Sequence, residues 1–127
     1  MSKRSILAAA VVLASIAVGA SPVAAKGGDV GGSATCTSGV KAKIKAGPRD
    51  PGQIKTNIQI DDVGLVAQAW TITVADGAES LTFGATTAGL SNSIDSDALT
   101  GNGAGADTVT FTASRAGASC SGSVTVP

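Results

Sequence analysis

The sequence predicts an all-β protein, a sandwich of seven short strands, on three observations. After Ser33, apolar residues recur at every second position, the period of a strand with one buried face. Turn-forming clusters such as Gly47-Pro48-Arg49-Asp50-Pro51-Gly52 and Gly101-Asn102-Gly103-Ala104-Gly105 break these runs at short intervals. No convincing helical period occurs after Ala25.

The chain opens on an expected signal peptide over residues 1–25. Lys3 and Arg4 form a basic start, and Ile6 to Ala20 is an unbroken run of apolar and small residues. Val23-Ala24-Ala25 then offers the small side chains that a signal peptidase requires, so cleavage is expected before Lys26. The run is short for a span of about 20 residues, and no second apolar stretch follows. The mature form is therefore expected to be secreted and extracellular, without a stable membrane anchor. Residues 26–33 include Gly27, Gly28, Gly31 and Gly32 and are expected to be a flexible lead-in. Residues 34–127 form the expected single domain.

Within that domain the strands follow in order. Val40, Ala42, Ile44 and Ala46 alternate with Lys41, Lys43 and Lys45. After the Gly47–Gly52 turn, Ile54, Thr56, Ile58 and Ile60 share one face, and Asp61-Asp62-Val63-Gly64 breaks the pattern. Trp70, Ile72 and Val74 alternate with Thr71 and Thr73, Asp76-Gly77 signals a hairpin, and Leu81, Phe83 and Ala85 return. A weaker segment from Leu90 to Leu99 carries Ile94. Val109, Phe111 and Ala113 alternate with Thr108, Thr110 and Thr112. Ala116-Gly117-Ala118 leads into a last strand where Cys120, Val124 and Val126 point the same way.

Trp70, Phe83 and Phe111 are the only aromatic residues, so Val, Ile, Leu and Ala must fill a thin core. Such a core in a small exported domain calls for a covalent staple. Cys36 and Cys120 are the only cysteines, and with no His in the chain they are too few for structural zinc. An intramolecular disulfide between them is expected. Trp70 falls on the third strand, as in antibody domains, but the cysteines fall on the first and last strands. The expected architecture is therefore an Ig-like or fibronectin-like β-sandwich and not a true immunoglobulin domain.

Three segments carry a family resemblance: Trp70-Thr71-Ile72-Thr73-Val74, Gly105-Ala106-Asp107-Thr108-Val109 and Gly117-Ala118-Ser119-Cys120. With a signal peptide and a cysteine near each end, the chain resembles small secreted actinobacterial Ig-like β-sandwich proteins with one disulfide joining the chain ends. That resemblance implies a secreted sandwich with no established activity, and it carries no functional residue. In composition and architecture the chain also resembles enediyne-carrying apoproteins of the neocarzinostatin type, which hold an apolar ligand in a cleft but use two local disulfides.

Absences exclude most catalysis. Without His, neither a Ser-His-Asp nor a Cys-His site can be built. Glu79 is the only Glu, and adjacent Asp61 and Asp62 would face opposite ways in a strand, so they read as an acidic turn. The chain is not expected to be an enzyme, and no cofactor is expected. Asp95, Asp97, Asn102 and Asp107 suggest calcium, but Leu99 falls where an EF-hand ligand belongs, so no metal is expected. The threonine rows suggest ice or ordered water, which a twisted sandwich suits poorly. Formal charge is zero over the whole chain, and loss of Lys3 and Arg4 leaves the mature domain slightly acidic. General nucleic-acid binding is not expected of it. Lys41, Lys43, Lys45, Arg49 and Lys55 are its one cationic cluster. They could meet an anionic surface polymer or an acidic protein patch; the competing reading is an edge strand protected by lysines. The expected function is a secreted non-catalytic binding or surface-associated structural protein. The alternatives are a carrier of a small apolar ligand, resembling the enediyne apoproteins, or an inhibitor of an extracellular enzyme that presents the Gly47–Gly52 loop.

Overall fold

A computed structural model describes residues 28–63 and 67–127. The expected signal peptide lies outside the described residues. Nine strands are present among them: β1 (Val30–Ser33), β2 (Thr35–Cys36), β3 (Lys41–Arg49), β4 (Gln53–Asp61), β5 (Ala69–Asp76), β6 (Glu79–Thr86), β7 (Ser93–Gly101), β8 (Asp107–Arg115) and β9 (Ala118–Val126). They form a four-stranded sheet of order β1-β3-β4-β7 and a five-stranded sheet of order β2-β9-β8-β5-β6, with every pairing antiparallel. Strands are found at all seven expected places, β3 to β9, and β1 and β2 are additional; Cys36, expected on the first of the seven, lies instead on the separate strand β2. Val30–Ser33, expected in the flexible lead-in, pairs instead with β3, Val30 opposite Ala46 and Ser33 opposite Lys43. Glycine carries no side-chain period, so β1 is held by its backbone ladder and left no pattern to read.

The apolar stripe of every long strand faces inward. Ile44, Ile54, Ile58, Ile60, Trp70, Ile72, Val74, Val109 and Phe111 are all essentially inaccessible to water. Phe83, on the edge strand β6, is only partly buried but packs against this core. Tight turns close the hairpins. Gly77 takes a φ of 62° in the two-residue loop between β5 and β6, and Gly117 a φ of 85° between β8 and β9; a left-handed backbone favours glycine at both. The turn between β3 and β4 is shorter than the sequence suggests. Gly47, Pro48 and Arg49 belong to β3, and only residues 50–52 form the tip.

One feature departs from an antibody domain, the placement of the disulfide. β3 and β4 are hairpin partners in one sheet, and the chain crosses to the other sheet between β4 and β5. The Cys36–Cys120 bond, Sγ–Sγ 2.10 Å, links β2 to β9, which are neighbours in the five-stranded sheet, rather than crossing between sheets. It closes a loop across a sequence separation of 84, worth about 4 to 5 kcal/mol in the chain-entropy model.

Two polar clasps lie at the margins of the core. Asp62 is the next inward position after Ile60, and it is 2% exposed. The Trp70 indole donates Nε1–H to its Oδ2 at 3.1 Å, and Arg115 donates from Nε and Nη2 at 2.7 and 3.0 Å. The Arg115 guanidinium also stands 5.6 Å from the Trp70 ring centre. Asp62 is thus a buried anion joining β5 and β8 to the end of β4, and the acidic-turn reading is corrected to that. Elsewhere Thr100 Oγ1 donates to the buried Asp76 at 2.9 Å, and the Gly101 amide donates to Glu79 at 2.8 Å. Both bonds hold β7 against the β5–β6 hairpin.

Candidate functional site

Strand alternation leaves each sheet one solvent face, and the two faces differ in chemistry. On the four-stranded sheet the outward positions run in register. Lys43 lies opposite Gln59, and Gln59 opposite Asp95; in the next row Lys45 lies opposite Asn57, and Asn57 opposite Asp97. The face is therefore basic along β3, neutral along much of β4 and acidic along β7. The lysines stand about 6.7 Å apart along the strand and about 10 Å from the acidic column, two strand spacings away.

The five candidate cations do not act as one patch. Lys41, Lys43 and Lys45 are exposed and make no ion pair among the described residues. Lys55 sits one strand away with its Nζ 3.6 Å from Asp97. Arg49 is clasped by Asp29, its Nη1 and Nη2 donating to the two carboxylate oxygens at 2.9 and 3.1 Å. That guanidinium holds the Asp29 carboxyl below the usual carboxylate range, and the carboxylate raises the Arg49 pKa in return. The Asp29 side chain occupies the space beside Gly47 that a Cβ would need. The edge-protection reading also changes. β3 is not an edge strand, because β1 covers it from Lys43 to Ala46. The outer strands of this sheet are β1 and β7.

The acidic column has its own order. Asn57 Nδ2 donates to Asp95 Oδ1 at 2.5 Å and to Asp97 Oδ1 at 2.8 Å, holding two like charges side by side. A shallow depression of about 370 Å³ lies over these residues, Lys45 and the Arg49–Asp29 pair. The suggested calcium group is not assembled. Asp95 and Asp97 lie on β7, whereas Asn102 and Asp107 meet at the β7–β8 loop, where the Asn102 amide, turned so that its nitrogen faces the carboxylate, donates to Asp107 at 2.8 Å. Among the described residues no cluster of metal-binding side chains occurs.

The five-stranded sheet presents the opposite surface. Its outward positions hold only Ser, Thr, Ala and Gly among the described residues. Thr35, Ser121, Thr112, Thr73 and Thr82 form one row across all five strands. Adjacent hydroxyls bond to one another, Thr73 with Thr82 at 3.0 Å and Thr108 with Thr125 at 3.1 Å. The row lies in a shallow trough of about 450 Å³. Comparison with protein-family models, with curated proteins and with solved structures finds no match to this chain.

Proposed function

We propose that this chain is a secreted, non-catalytic binding or surface-associated structural protein whose partner is an anionic surface polymer or an acidic protein patch. One observation carries the reading: Lys41, Lys43 and Lys45 stand in a single outward column and make no ion pair among the described residues, while Arg49 and Lys55 are already paired. Unpaired exposed cations at a regular spacing attract an extended anion and gain charge-assisted contacts from it. The likeness to small secreted actinobacterial sandwiches is part of the same proposal, supported by two antiparallel sheets around a core Trp.

The alternatives have less support. A carrier of an apolar ligand needs an apolar cleft, and both depressions described above lie on outer faces lined largely by polar side chains. An inhibitor presenting the β3–β4 turn would offer only the short tip Asp50-Pro51-Gly52, because Arg49 lies in β3 and is tied back to Asp29.

The test is retention of the mature, oxidised protein on an anionic cell-wall polymer at low and high salt, beside a Lys41/Lys43/Lys45→Ser variant. Retention that salt and the triple substitution both abolish supports the proposal. Equal retention of the two proteins, or none at low salt, overturns it.

A further inference from the structure

The charged face of the four-stranded sheet is complementary to itself. One flank carries Lys41, Lys43 and Lys45, and the other carries Asp95 and Asp97. Each flank has charge to spare among the described residues: the three lysines and Asp95 make no ion pair, and Asp97 meets only Lys55, at 3.6 Å with its side chain half exposed.

We propose that this face pairs with the same face of a second copy, about a two-fold axis running parallel to β4. The inference rests on reading the lysine column as a binding surface, and it identifies the acidic protein patch as the β7 face of another copy. A rotation about an axis parallel to the strands exchanges the two flanks and preserves position along the strands. Lys43 and Asp95 share a row through Gln59, and Lys45 and Asp97 share a row through Asn57. The rotation therefore brings Lys43 of one copy over Asp95 of the other and Lys45 over Asp97, and symmetry repeats each pair. Gln59 and Asn57 lie on the axis; the Gln59 amide, being both donor and acceptor, pairs with its own counterpart, while the Asn57 amide keeps its bonds to Asp95 and Asp97. Leu99, which β7 leaves 49% exposed on this face, becomes covered. A two-fold axis across the strands would set lysine against lysine and acid against acid on both flanks, and closed two-fold symmetry admits no slip along the axis. The axis along β4 opposes like charges only at Lys55, which Asp97 already offsets, and at Asp61.

Area sets the strength. Around an axis over β4 the three nine-residue strands β3, β4 and β7 overlap their counterparts, a face of about 400 to 450 Å² per copy, from strand spacing and rise. That is at the low end of specific interfaces, so the dimer is weak and depends on charge. At 1 M salt, where the screening length is about 3 Å, it should be lost.

The experiment is sedimentation velocity on the mature, oxidised protein up to about 1 mM, with two charge-reversed variants, Lys43→Asp/Lys45→Asp and Asp95→Lys/Asp97→Lys; a small interface of this kind is expected to associate at micromolar to about millimolar concentration. Near-UV circular dichroism of Trp70 verifies that each variant is folded. Wild type is expected to dimerise at low salt and dissociate at high salt. Each variant alone is expected to be monomeric, and an equal mixture to recover the dimer, because one copy then has two acidic flanks and the other two basic ones. A wild type that stays monomeric at low salt, folded variants that dimerise as wild type does, or a mixture that stays monomeric would overturn the proposal. Retention on immobilised poly-L-glutamate separates the two levels. A monomeric wild type that is retained through its lysines loses the self-pairing and keeps the binding surface, whereas one that is not retained loses both.

Discussion

The five-stranded and four-stranded sheets bury similar side chains and show solvent different ones. The five-stranded sheet supplies Trp70, Phe111 and the disulfide, and its outer face is a field of small hydroxyls. The four-stranded sheet fills its side of the core with Ile and Ala, and its outer face carries opposed columns of charge. The contrast separates two roles. Residues that hold the fold together lie on the inner faces of both sheets, the largest of them and the disulfide in the five-stranded one, and residues able to recognise a partner are concentrated on the outside of the four-stranded one. Stability and binding should therefore respond to different substitutions.

The largest effects should come from the interior. Trp70→Ala removes the largest buried side chain and the ring beside Arg115, and it should cost about 3 to 5 kcal/mol in denaturant unfolding. A loss under 1 kcal/mol would mean that the five-stranded sheet does not carry the stability assigned to it. Asp62→Ala leaves Arg115 and the Trp70 indole without their buried acceptor, and breaking a buried pair from one side costs about 3 to 5 kcal/mol. A red-shifted Trp70 emission in that variant would show the clasp opening.

A smaller effect of opposite sign is expected on β4. Thr56 is fully buried among Ile54, Ile58 and Ile60, and its Oγ1 has no hydrogen-bond partner among the described residues. A buried hydroxyl without a partner costs about 1 to 3 kcal/mol, so Thr56→Val, nearly equal in shape, should raise the urea midpoint. An unchanged or lower midpoint would point to a partner for that hydroxyl.

Smaller still is the Asp29–Arg49 pair on the charged face. Because Arg49 lowers the Asp29 pKa in the folded protein, the pair's contribution is complete above the ordinary carboxylate range. It is lost as pH falls through the depressed folded value. Wild type and Asp29→Asn should thus differ slightly in melting temperature at neutral pH and converge in acid; a constant difference across that range would contradict the assignment. The pair is exposed, so the effect is small.

Much of the interior was legible in the sequence, because burial on one side of a strand forces a period of two. That period located the seven main strands and the inward set Ile54, Thr56, Ile58 and Ile60. The cysteine pairing followed from there being only two. Backbone-held structure was not legible. Gly31 and Gly32 carry no pattern, so β1 was missed, and with it the fact that β3 is covered, which is why its lysines read as an edge. Asp62 read as a turn because adjacent acids after an apolar run usually mark one. Two signals could have found it: its inward parity after Ile60, and Arg115, the single cation in the acidic half of the chain. The opposition of Lys43 and Lys45 to Asp95 and Asp97 depends on the pairing of β3, β4 and β7, which no local stretch of sequence encodes.

The most direct measurement of the separation between faces is a binding titration with one fluorescent anionic polymer at low salt. It would compare wild type, Lys41/Lys43/Lys45→Ser and a Thr73→Ala/Thr112→Ala variant of the hydroxyl face, with unfolding free energies measured in parallel. The account predicts that both variants unfold within about 0.5 kcal/mol of wild type, as exposed substitutions generally do. It predicts that the threonine variant binds as wild type does and that the lysine variant does not bind. Equal binding by all three proteins, or loss of binding on the hydroxyl face instead, would contradict it.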